Sequence, residues 1–150
     1  MKTLIESVAA DMTGIDVRYG DGYSFNRYVD DQSDITNTAL FWHVTSIETD
    51  NNGKYLRSNK WKIQFLMLKK TAELLDESYN TDRWTTFEAV KASFNEFVDR
   101  LRIKVKESSL KDGDIPPYDV VPIVNYYDVN MDGLSCLLTV DFYEQAYCPA

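Results

Sequence analysis

The sequence predicts an α+β fold: a mainly antiparallel sheet of four to five strands, with a short N-terminal helix and one long amphipathic helix packed on one face. Three observations carry this. Trp84, Phe87, Val90, Phe94, Phe97, Val98, Leu101 and Val105 recur three or four residues apart, with one adjacent pair, and trace a single helical stripe. Ahead of the stripe, two β-prone runs flank Asp50-Asn51-Asn52-Gly53; behind it, two more flank the segment from Asp128 to Gly133. A stripe of that length needs an apolar surface to lie on, and strand pairs joined by short turns supply one. The 150 residues suit a single domain spanning 1–150.

Taken in order, residues 3–12 carry Leu4, Ile5, Val8 and Ala9 at helical spacing. Thr3 and Glu6 form the pattern of a capping box, and Gly14 is a natural stop. A brief strand is expected over 15–19, and then a long polar stretch from Gly20 to about Thr38 has no period and reads as a loop. Residues 39–48, rich in β-branched and aromatic side chains, read as a strand. The Asn-Gly of the following turn tolerates the positive φ of a hairpin. In the return strand Trp61, Ile63, Phe65 and Met67 share one side and Lys62 and Gln64 the other. At Leu66 and Leu68 both sides are apolar, so that end is expected to be covered twice. Residues 71–80 are ambiguous between loop and short helix.

The long helix follows. Thr85 and Glu88 suggest its capping box, and Glu96 with Arg100 makes an i,i+4 pair on its wet side. Lys111-Asp112-Gly113-Asp114 and Pro116-Pro117 break the chain. Residues 118–127 read as a strand in which Pro122 marks an edge or a bulge. Leu134, Cys136, Leu138, Val140 and Phe142 alternate with more polar partners as a closing strand. The expected order is therefore α-β-loop-β-β-α-β-β.

Composition narrows the function classes. A net charge of −8 repels phosphate backbones and disfavours nucleic acid as a partner. Residues 1–10 lack the pattern of a signal peptide, and no apolar run reaches the length of a membrane span. Cys136 and Cys148 are not in a C-x-x-C pair, so reduced thiols in an intracellular, soluble chain fit better than a disulfide framework. Ten tyrosines suit half-buried surfaces, protein interfaces included.

Candidate sites resolve mostly towards structure. Asp128, Asn130, Asp132 and Gly133 occupy the first liganding positions and the glycine of a calcium loop. Thr139 stands where the bidentate carboxylate belongs, and the flanks read as strands. A hairpin connection using Asp-Gly is the expectation. His43 is the sole histidine and reads as a strand residue; a dyad with Cys136 or Cys148 requires proximity that nothing in the spacing indicates. Gly20-Asp21-Gly22 lacks the G-x-G-x-x-G pattern, and Asp30 and Asp31 are adjacent, which aims an extended pair in different directions. Neither a catalytic set nor a cofactor or metal site is expected.

The order of elements resembles that of the small tail-completion or tail-terminator proteins of tailed bacteriophages and prophages, which act at the head–tail junction. The parts that match are the opening helix, the strand leading to Tyr19-Gly20-Asp21-Gly22, and the strand pair around Trp42 and residues 61–68. The helix over 85–105 and the closing hairpin from Tyr126-Tyr127-Asp128 to Tyr147 complete the match. The resemblance implies a non-enzymatic subunit that forms a homo-oligomeric ring, commonly a hexamer, at the end of the tail tube. It also implies assembly in the host cytoplasm into the virion, with tail tube or neck proteins as partners. The loop carrying Tyr23, Phe25, Arg27, Tyr28, Asp30 and Asp31 is then the candidate for contacts between subunits or with the tube. The rival expectation is a small-ligand-binding or adaptor protein with a pocket between helix and sheet. A hydrolase using His43 is a third.

Overall fold

Seven elements follow one another in the computed structural model, which describes residues 1–20, 37–51, 55–71, 79–126 and 131–146. They are α1 (Lys2–Ala10), β1 (Ile15–Tyr19), β2 (Thr38–Asn51), β3 (Leu56–Lys70), α2 (Tyr79–Ser108), β4 (Val121–Tyr126) and β5 (Met131–Gln145). The strands form one five-stranded sheet in the order β1-β2-β3-β5-β4. Its β2–β3, β3–β5 and β4–β5 pairs are antiparallel, as expected, while β1 lies parallel to β2, with Ile15 opposite Thr38 and Tyr19 opposite Trp42.

Alternation along the strands builds the core. Leu40 and Trp42 on β2, Ile63, Phe65 and Met67 on β3, and Leu134, Cys136, Leu138 and Val140 on β5 share the inner face. Against them α2 lays Phe87, Val90, Phe94, Phe97, Val98, Leu101 and Val105, and α1 adds Ile5, Val8 and Ala9. The centre is aromatic: Phe65 meets Phe94 at 5.8 Å and Phe97 at 5.4 Å, edge to face, and Tyr118 closes on Phe94 at 5.9 Å. The double covering expected near Leu66 and Leu68 is present. Ala39, Phe41, Leu68 and Met131 form a second buried cluster on the outer face, with Leu66 and Ile123 packed beside it.

Several local expectations are corrected. Thr3 lies inside α1, whose N-cap is Met1 with no side-chain cap bond, and Gly14 sits past the helix at φ +75° in the turn into β1. In α2, Thr85 is interior because the helix begins at Tyr79, so the Thr85–Glu88 pattern is not its start. Trp84, first in the predicted stripe, is 62% exposed. The ladder continues through Asp50 opposite Ser58 and Asn51 opposite Arg57, which places those two residues in β2 rather than in the turn. A register shift between Val44 and Ser46 inserts a bulge into that long strand. Across it Lys62 donates to Glu48 at 2.7 Å and holds the Glu48 carboxyl below the usual carboxylate range.

The connection after α2 seals the upper edge of β5. Leu110 N–H bonds to the Tyr143 carbonyl at 3.0 Å, the Tyr143 N–H donates to Ser109 Oγ at 2.9 Å, and Asp114 bridges Asp141. Arg102 holds this connection to the helix by donating to the Ile115 carbonyl at 3.2 Å, with Asp114 3.7 Å from its guanidinium. The lower part of β5 pairs with β4, an edge strand that contains Pro122 and a register shift between Ile123 and Tyr126. The edge reading of that proline holds, since it spends no N–H at an edge, whereas Val121, Pro122 and Ile123 pair in regular register and the irregularity comes only after them.

Candidate assembly surfaces and pockets

Asp132 shows how the supposed ion loop is used. It lies on β5 opposite Lys69, with a side chain only 1% exposed. Thr71, just past β3, donates its hydroxyl to Asp132 Oδ2, and the Arg83 guanidinium of α2 stands 3.9 Å from the same oxygen. The carboxylate thus ties the ends of β3 and β5 to the first turns of α2. Gly133 also lies within β5, opposite Leu68, so Asp132-Gly133 is not the turn of the hairpin. Tyr126 pairs with Met131, and residues 127–130, Asp128 and Asn130 among them, lie outside the described residues. Losing this buried carboxylate removes both the Thr71 hydrogen bond and the attraction to Arg83. Asp132→Ala is therefore expected to cost about 3 kcal/mol, measured by urea unfolding, and a midpoint equal to wild type would show the anchor to be idle.

His43 and Cys136 cannot meet. His43 alternates with Trp42 and so faces the outer side, whereas Cys136 is in the inner core two strands away. Burial, reinforced by the charge of Asp119, pushes the Cys136 thiol up to about 11, which leaves it a poor nucleophile at neutral pH. Among the described residues, no group of three or more His, Cys, Asp or Glu side chains is placed to hold a metal ion. No helix among them is long and apolar enough to cross a membrane. The predicted contact loop, with Tyr23, Phe25, Arg27, Tyr28, Asp30 and Asp31, lies outside the described residues.

What sequence spacing did not reveal are two unlike sheet edges. At the β4 edge, Val121 and Val124 are 61% and 57% exposed, and Val124 shares a cavity with the exposed Trp84 ring, which leans on Phe87 at 5.3 Å. Arg83, Trp84, Phe87, Pro122, Ile123 and Asp132 line a shallow cavity of about 220 Å³ there. Exposed apolar side chains grouped on an edge strand are what a protein interface uses. At the other edge, β1 pairs with β2 only from Thr38 to Trp42, and the Gly20 N–H extends this by one bond to the Trp42 carbonyl. From His43 to Asn51, no described residue forms a strand pair on that side of β2.

The inner face beyond the N-terminal end of α1 is also open. Trp42 and Val44 from β2 and Trp61 from β3 make the floor of a cleft of about 440 Å³, walled by Tyr19, Met1 and Lys2. Tyr19 stands edge-on to Trp42 at 4.8 Å. Trp42 Nε1 and Trp61 Nε1 are buried without a hydrogen-bond partner. An unsatisfied buried donor costs about 1–3 kcal/mol, so two on side chains that line one cleft are a marked departure from ordinary packing. Three strands contribute one aromatic each, a juxtaposition that no linear spacing encodes.

No family model matches the chain, and no curated protein matches its sequence.

Proposed function

We propose that the chain is a non-enzymatic structural subunit of a phage or prophage tail or neck, which assembles head to tail into a ring at the end of the tail tube. The pair of unlike sheet edges carries this reading. An apolar edge at β4, with Trp84, Val121 and Val124 exposed, and a β2 edge without a strand partner among the described residues lie at opposite sides of one sheet. Contacts between two different surfaces of identical subunits repeat around an axis, and they close into a ring when the rotation allows. The element order supports the same reading, because the resemblance to tail-completion proteins rests on it. Tail tube and neck proteins are the further partners, reached from the faces of the ring, and the virion is the site of action.

A charge placed on the β4 edge tests the contact. Val124→Glu adds a carboxylate at an exposed position, where the folded monomer loses no more than about 0.5 kcal/mol. Wild type is expected to sediment as an oligomer and the variant as a 17.3 kDa monomer with unchanged circular dichroism. An assembly that survives the charge intact would remove the β4 edge from the interface.

A further inference from the structure

We propose that the cleft between the start of α1 and the inner face of β1, β2 and β3 binds a small amphiphilic carboxylate. Its apolar body rests on Trp42, Trp61 and Val44, and its oxygens turn towards the unpaired indole N–H groups and Lys2. The cavity, about 440 Å³, falls in the roughly 300–1,000 Å³ range of small-molecule sites. It has the usual construction of one: apolar and aromatic walls with a few polar groups to set orientation.

The polar groups decide the ligand's sign. Both indole nitrogens are donors without acceptors, and the one charged residue lining the cleft is a cation, Lys2. An aromatic cage with no cation at its rim would favour a quaternary ammonium through the ring faces. Here an ammonium ligand meets Lys2, whereas a carboxylate gains a charge-assisted partner. Lys2 is 3.8 Å from Glu6, in a pair whose side chains are 68% and 47% exposed, and such a pair holds the ammonium only weakly. Neither indole N–H opens to solvent as the cleft stands. Tyr19, 61% exposed and leaning on Trp42, is a wall free to move, because exposed side chains change rotamer in picoseconds to nanoseconds. The site lies on the inner face, away from the β4 edge, and where the open stretch of β2 begins.

The three tryptophans provide the readout, since two line the cleft and Trp84 lies outside it. The indole N–H resonances of the nitrogen-15-labelled 150-residue chain are followed during titration with sodium octanoate, 1-octanol or octyltrimethylammonium. Octanoate is expected to shift the Trp42 and Trp61 signals saturably and leave Trp84 in place. The alcohol and the ammonium are expected to bind at least about fivefold more weakly. Trp61→Phe, which keeps a ring and loses the donor, and Lys2→Gln are each expected to weaken octanoate by a similar factor. The absence of a saturable shift up to about 10 mM octanoate overturns the proposal. So does an equal response to the ammonium or the alcohol, or a Trp84 signal that moves together with the others.

Discussion

Gly133→Val is expected to leave the chain unable to hold its native sheet, with a loss above about 4 kcal/mol. A Cβ built on Gly133 would stand 2.0 Å from the Met67 carbonyl oxygen and 3.0 Å from the Leu68 Cα, both of them backbone atoms of the neighbouring strand. Side-chain rotation cannot relieve such a contact. The β3–β5 ladder, which runs from Leu56 opposite Gln145 to Lys70 opposite Met131, would have to part at its core end. The sequence suggests a different reason for the same sensitivity, positive φ in a tight turn. Gly133 is not among the positive-φ glycines of the described residues, so close backbone approach is the cause. Gly133→Ala tests the contact, because alanine already carries the offending Cβ. Urea unfolding of that variant should show a markedly lower midpoint, and a wild-type midpoint would contradict the contact.

Phe94→Ala is expected to cost about 3–5 kcal/mol. The ring is fully buried and sits between Phe65, Phe97 and Tyr118, so its loss empties the place where helix, sheet and the connection after α2 converge. Tyr118 also donates its hydroxyl to Asn95 at 2.9 Å, next to Phe94 on the same helix, which keeps the cavity walls from collapsing freely. For a chain of this length the melting temperature should fall by about 10 °C. A fall of only a degree or two would mean that the aromatic cluster repacks around the gap.

The parts of the fold legible in the sequence were those with a repeating period. The alternation in β5 and the stripe in α2 report burial directly, because one face of each element is apolar over many residues. What failed was local punctuation. Asp132-Gly133 and Thr85–Glu88 match turn and cap patterns, yet each lies inside an element whose longer-range pairing or packing outweighs a local preference. Trp84 keeps the helical spacing but stands beside the outermost strand, where little of the sheet reaches it. The parallel pairing of β1 was invisible, since the five residues from Ile15 to Tyr19 carry too little pattern to state a direction. The cleft at Trp42 and Trp61 was invisible for a related reason: its walls come from β1, β2, β3 and α1, and only the register brings them together. The contact loop from Tyr23 to Asp31 follows from the resemblance alone and lies outside the described residues, and the assembly reading rests on the edges of the sheet.

Light scattering on a sizing column, run on the purified chain over a wide range of concentration, tests the assembly reading most directly. A single closed species at a fixed multiple of 17.3 kDa, with a hexamer as the expected count, is the predicted result. A particle that stays at 17.3 kDa at every concentration would contradict it.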